Sequence, residues 1–199
     1  MSAADTIKRA NPGPLGLLGF GMTTVLLNIH NAGFTANTPT IIAMGIALGG
    51  LAQIIAGIFE MAQGNTFAGT AFTAYGLFWW SLVLIWKNPL GLADHAAPDP
   101  ATFNTSFGWY LILWGLFTSA MFVGTLTHNR ATQVVFFTLA VLFFGLAAGF
   151  MTHTMEDGFG HVVGFWGILC GASAIYAAFA QIINGEHGRV ILPLGELNK

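Results

Sequence analysis

Charge is what this 199-residue chain has least of: six lysine or arginine residues and eight aspartate or glutamate, 7% of the sequence together. A soluble domain carries roughly 25% charged residues, and fourteen charged side chains cannot give a fold of this size a water-binding surface. None at all occurs between Arg9 and Glu60. The two signs nearly balance and form no basic stripe, which excludes nucleic acid as a partner. Cysteine is scarcer still. Cys170 stands alone, so an intramolecular disulfide and any CxxC metal site are ruled out; in its apolar run it reads as a space-filling residue. HExxH, GxSxG and phosphate-loop motifs are missing too, so neither an enzyme nor a bound cofactor or metal is expected. Lys8 and Arg9 run straight into Pro12 and Pro14 with no small-residue cleavage site, so no cleaved leader is expected.

What the chain has in quantity is apolar length, with 55% hydrophobic residues. A helix needs about 20 apolar residues to cross the hydrocarbon of a bilayer. Six segments qualify, at 14–31, 39–63, 67–86, 107–127, 131–152 and 160–183. Stretches such as FFTLAVLFFGLAAGF lack the apolar–polar alternation of barrel strands. The expected fold is therefore an all-α membrane protein in a lipid bilayer, residues 1–199 forming one domain of six transmembrane helices. Thr38-Pro39 reads as a cap with proline at the first helical position. Gly64-Asn65-Thr66 and Glu156-Asp157-Gly158 read as tight connections, and Asn88-Pro89 with Asp94–Ser106 as the one sizeable loop.

Lysine and arginine set the orientation. Lys8, Arg9, Arg130, Arg189 and Lys199 fall on one side and Lys87 alone on the other, which puts both termini in the cytoplasm and the protein in the cytoplasmic, or inner, membrane. Trp79, Trp80, Trp86 and Trp109 are expected as an aromatic belt at the outer interface. GxxxG pairs at Gly45/Gly49, Gly145/Gly149, Gly160/Gly164 and Gly167/Gly171 allow close helix approach, within the bundle or between copies of a homo-oligomer. The first and fourth spans end in IHN and THN, a faint sign of two inverted three-helix halves.

Polar groups inside spans are costly unless they face the bundle or water. Phe20, Thr24 and Asn28 recur every four residues on one face of the first span, and Gln53, Gly57 and Glu60 share a face of the second. Thr70, Thr73 and Tyr75 follow in the third, Thr118 and Thr125 in the fourth, and Ser173, Tyr176 and Gln181 in the sixth. Asn28 and Gln53 read equally as interhelical hydrogen bonds or as pore lining. Glu60 reads as a carboxylate snorkelling to the interface or as part of a path. No lysine or arginine lies inside a span, so an anion would be carried by hydroxyls, amides and helix N-termini, which solvate without trapping. His30, His128, His153 and His161 sit near span ends and keep a haem-bearing membrane anchor open as an alternative, beside a scaffold with no solute of its own.

NPGPLGLLGFGMTT (Asn11–Thr24) followed by LLNIHNAG resembles the N-terminal signature of the acetate uptake transporter family, the bacterial succinate–acetate permeases and their fungal relatives. The family form is NPAPLGL, and this chain has Gly13 in place of the alanine. AMGIALGGLAQIIAGIFE (Ala43–Glu60), GNTFAGTAFTAYG (Gly64–Gly76), FVGTL (Phe122–Leu126), CGASAIY (Cys170–Tyr176) and GRVILPLGE (Gly188–Glu196) carry the resemblance nearly end to end. It implies a hexamer of six-span protomers, each with one conduit for acetate and related carboxylates such as succinate, moved by channel flow or proton symport. It further implies a hydrophobic constriction of Phe20, Tyr75 and Leu139. The expected substrate path adds Thr24, Asn28, Gln53, Glu60, Thr70 and Thr73, with Glu60 as the candidate for proton coupling.

Overall fold

A computed structural model describes residues 10–88 and 99–197, and no strand occurs among them. Lys8, Arg9 and Lys199, which weigh in the orientation argument, and loop residues 89–98 lie outside the described residues. The helices are α1 (Gly13–Asn31), α2 (Pro39–Ala62), α3 (Thr66–Lys87), α4 (Pro100–Thr125), α5 (Arg130–Met151) and α6 (Gly158–His187). Thr38 does stand at the N-cap of α2 with Pro39 behind it. The start of α4 differs from expectation: residues 100–106 are helix, not loop. Asp99 explains this, because its carboxylate accepts from the backbone N–H groups of Ala101 and Thr102 at 3.0 and 3.1 Å and from the Thr102 hydroxyl at 2.7 Å. Those bonds, the Thr102 hydroxyl first, hold the Asp99 carboxyl below its ordinary pKa.

By length and composition α2 to α6 are each able to cross a membrane; α1 is not among them. Its 19 residues are diluted by glycine, threonine and asparagine, yet they rise about 28 Å, close to the hydrocarbon thickness of about 30 Å. Burial holds it in place instead of hydropathy: Gly16, Gly19, Phe20, Thr23, Thr24, Leu27 and Asn28 are all buried.

Glycine decides how closely α1 is wrapped. A Cβ on Gly21 would lie 2.7 Å from the Gly171 carbonyl oxygen, and one on Gly171 would lie 2.6 Å from that of Gly21. The backbones of α1 and α6 thus touch directly. Gly16 makes room for the Phe72 ring of α3 and Gly19 for the Leu48 carbonyl of α2, so three of the four glycines of the opening motif, Gly16, Gly19 and Gly21, face three different helices. All four GxxxG pairs meet neighbours within the chain, Gly45 and Gly49 against α3, Gly145 against α6, Gly160 against the Met155 backbone, Gly164 against the end of α1, and Gly167 and Gly171 against α1.

The seam between α3 and α4 is built oppositely. Phe78 stacks on Tyr110 with ring centroids 5.8 Å apart and meets Trp114 edge-on at 5.1 Å, while Tyr75 meets Phe117 at 5.5 Å. Rings hold these two helices apart, and the deeper side of α3 includes Trp79. Only 3% exposed, Trp79 belongs to the core and not to an interfacial belt, whereas Trp109 is 60% exposed. Residues Gly45–Ala52 of α2 form a π-helical stretch, which loosens the regular bonding ladder. The indole N–H of Trp80 donates to the Ile46 carbonyl there, at 3.0 Å.

After α6 ends at Gly188, whose φ is 61°, the chain folds back. Asn184 gathers the turn: its Oδ1 accepts from Ile191 N and Leu192 N, and its Nδ2 donates to the Leu192 carbonyl. The carbonyls of Leu194 and Gly195 then accept from Ala131 N and Arg130 N at 3.0 and 2.9 Å. The GRVILPLGE motif is thus a cap for the first turn of α5.

Candidate functional site

A cavity of about 560 Å³ opens where α1, α3 and α5 begin and α2, α4 and α6 finish. Asn11, Asn65 and Asn129 all line it, Asn65 and Asn129 as the N-caps of α3 and α5 and Asn11 just ahead of α1. Asn11 Oδ1 accepts from Gly13 N at 2.9 Å, Asn65 Oδ1 from Ala68 N at 3.2 Å, and Asn129 Oδ1 from Thr132 N at 2.9 Å. Three helix N-termini therefore converge on one vestibule, and each contributes the positive end of its peptide dipoles. That favours anions without any lysine or arginine among the described residues of the lining.

Glu60 is in this vestibule but does not snorkel. It is 5% exposed, and Asn65 Nδ2 donates to its Oε2 at 2.7 Å. Asn11 bridges to the far end of α6 by donating to Gln181 Oε1 at 2.9 Å, and Gln63 Nε2 donates to the Ala10 carbonyl at 3.0 Å. The entry to α1 is thereby fixed to both α2 and α6. Leu17, Ala71, Phe136, His128 and Leu194 complete the wall from five different segments.

One helical turn further along α1, α3 and α5, Leu17 gives way to Phe20, Ala71 to Tyr75 and Phe136 to Leu139. Here lies a second, much smaller cavity of about 30 Å³. Phe20 and Tyr75 have ring centroids 6.2 Å apart, and Phe136 stands 6.2 Å from Tyr75 on the vestibule side. The Tyr75 hydroxyl is fixed by Thr118 Oγ1 at 2.9 Å, which in turn donates to the Trp114 carbonyl. The cavity continues past Thr24, Asn28 and Trp79, with Leu142, Phe143 and Leu146 of α5 opposite them.

The expected site residues therefore divide. Phe20, Tyr75, Leu139, Thr24 and Asn28 meet around one cavity, and Glu60 lines the vestibule below it. Gln53, Thr70 and Thr73 line neither of these two cavities. Gln53 is buried against α1 at Gly19, and Thr73 is pressed on Gly57 where α2 and α3 cross. Trp79, the wall residue Phe136 and the tail residue Leu194 were not legible as site residues in the sequence. The asparagine caps carried a readable signal, since asparagine just ahead of an apolar run marks a helix start. The histidines are dispersed: His30 pairs with the Thr35 carbonyl, His153 with Asn104, and His161 packs at Gly33. The His128 ring lies tilted against Phe67 in the vestibule, with centroids 4.8 Å apart.

Comparison with known proteins accords with this geometry. The chain is 53% identical to the succinate-acetate/proton symporter SatP of Escherichia coli (strain K12), over 95% of this chain and 97% of that protein. It is 36% identical to acetate permease A of Emericella nidulans, over 96% of this chain and 68% of the relative. A solved structure of the bacterial acetate channel SatP superimposes with a TM-score of 0.85 at 49% identity, covering 94% of this chain and all of that one. These relatives are transporters or channels and not enzymes. The model of the GPR1/FUN34/yaaH family matches residues 1–199, and the chain belongs to that family.

Proposed function

We propose that the protein moves acetate and related small carboxylates, succinate among them, across the cytoplasmic membrane, with both termini in the cytoplasm and the vestibule facing inward. The observation that carries this reading is the sequence of two cavities along α1, α3 and α5. A wide entrance ringed by three helix N-termini narrows to an apolar cavity at Phe20, Tyr75 and Leu139, with Thr24 and Asn28 further along α1. An apolar ring strips water from a carboxylate, and a buried charge without partners is expensive. The polar vestibule limits that cost on its side of the ring, while a lining without a fixed cation among its described residues keeps the anion from being trapped. Similarity to SatP and to acetate permease A supports the same substrate class.

Glu60 is the proposed proton-coupling group, since it is the carboxylate in the vestibule and one relative is named a proton symporter. The protomer is proposed to assemble as a cyclic hexamer, as the family resemblance implies, with the exposed apolar faces of α2 and α4 against lipid or neighbouring copies. The deciding experiment is uptake of radiolabelled acetate by proteoliposomes containing the purified protein. Saturable uptake above that of protein-free vesicles is expected; uptake equal to the blank at every pH would end the transport reading.

A further inference from the structure

Among the described residues, helix α4 contributes none to the vestibule or to the inner cavity. It nevertheless holds one ring of the aperture from behind. Trp114, Phe117 and Thr118 share one face of α4, and all three meet Tyr75. The Phe117 ring stands edge-on to it at 5.5 Å and the Trp114 ring tilted at 6.0 Å, centroid to centroid. The Tyr75 hydroxyl lies 2.9 Å from Thr118 Oγ1, and both residues are buried. A threonine hydroxyl has one hydrogen. That of Thr118 goes to the Trp114 carbonyl at 2.7 Å, the back-bond to the preceding turn that a helical threonine can make. Thr118 Oγ1 is left with lone pairs only, so Tyr75 is the donor of the pair. Its hydrogen goes to a residue that lines neither cavity.

Tyr75 also faces Phe20, at 6.2 Å between ring centroids, and shares the inner cavity with Leu139. The surface of that cavity is apolar, as it must be where ring carbon and not hydroxyl looks into it. We propose that Thr118 is a positioning residue for selectivity: by accepting the Tyr75 hydroxyl hydrogen it pins the far end of the ring and so sets the width of the aperture. Tyr75 then meets the permeating acid as hydrocarbon and not as a donor. The pin is needed because the ring turns on two side-chain torsions, the second of them soft. Without it, ring contacts alone hold Tyr75, and they fix distance better than direction. Size selectivity therefore depends on a side chain that the acid never touches.

This inference rests on the transport reading above, and the test separates the two. Thr118→Val keeps the branched shape and removes the acceptor, while Thr118→Ser keeps the hydroxyl. Tyr75→Phe removes the donor from the other end and leaves Thr118 bonded to Trp114, so it serves if the valine variant folds poorly. Proteoliposomes of each variant take up labelled acetate and lactate in competition. In Thr118→Val the lactate-to-acetate ratio is expected to rise about two- to tenfold, the change that one lost hydrogen bond corresponds to. Thr118→Ser should return it to the parent value. Tyr75→Phe should give the same rise, and the double variant no more than either single one. The bond is read independently by 13C at tyrosine Cζ in nanodiscs, where the chain has three tyrosines and Tyr75 is assigned by its loss in Tyr75→Phe. That resonance should shift in Thr118→Val and return in Thr118→Ser. An unmoved resonance, an unchanged ratio or additive effects in the double variant overturn the proposal. So does a rise in the KM for acetate in Tyr75→Phe that Thr118→Val lacks, since the hydroxyl would then serve the acid directly. A shifted and rescued resonance in a protein that carries no acetate would sustain the tether alone and overturn the transport reading.

Discussion

Single side chains decide what this aperture admits. Leu139 sits where the Phe20 and Tyr75 rings close on α5, and its neighbours on that wall are apolar. Leu139→Ala removes hydrocarbon from the wall that closes on the Phe20 and Tyr75 rings, so lactate uptake should rise several-fold relative to acetate, with acetate flux kept. Competitive uptake of the two labelled acids measures it, and an unchanged ratio would move the constriction elsewhere. Asn28→Leu should instead lower acetate flux without admitting larger acids, since it takes away a donor and adds no space. For Glu60→Gln, the expected result is the loss of the pH dependence of uptake across a family of buffers, with the bundle still assembled. An intact pH profile would make Glu60 structural, a partner for Asn65 and nothing more. The fourfold spacing of Phe20, Thr24 and Asn28 makes their shared face readable from the amino-acid order alone. That spacing says nothing about which neighbour a face meets, so Gln53 and Thr73 read as path residues while packing against glycines of adjacent helices. Trp79 is hidden by its own chemistry: tryptophan near a span end ordinarily means an interface, and only its depth behind α2 shows otherwise.

Helices here are positioned by what their glycines lack. The α1–α6 seam has backbone on backbone at Gly21 and Gly171, whereas the α3–α4 seam is spaced by Phe78, Tyr110 and Trp114. If the two halves are related by inversion, these seams correspond, yet one is tight and the other is filled with rings. Gly21→Ala places a methyl against a carbonyl that cannot give way, and should cost about 1–3 kcal/mol of stability. Gly185→Ala meets nothing within 4 Å and should be neutral or better by up to about 1 kcal/mol. Thermal unfolding in detergent compares the two directly, and similar losses in both would refute the seam argument. Asn129→Ala should lower stability by about 1 kcal/mol through loss of the α5 cap. Helix number and type were legible from hydropathy and from proline and asparagine punctuation. The start of α4 was not, because prolines suggested a loop where Asp99 and Pro100 in fact open a helix.

Across the whole molecule, polarity is organised by end. Three helix starts share the vestibule, while the last described residues return to seal the first turn of α5 with two carbonyls. The α1–α6 seam also fixes a sequence in time. Helix α1 is made about 150 residues ahead of α6, the helix whose backbone it touches, and at about 5–20 residues per second it waits on the order of ten seconds for that partner. Throughout that interval α1, the one helix not apolar enough to cross on its own account, presents Thr24 and Asn28 without the glycine face that shelters them. Closure of the bundle around α1 therefore has to wait for α6. Chains truncated after Met151 should consequently be degraded far faster in a pulse–chase than full-length chains, and co-expressing α6 as a separate fragment should slow that loss.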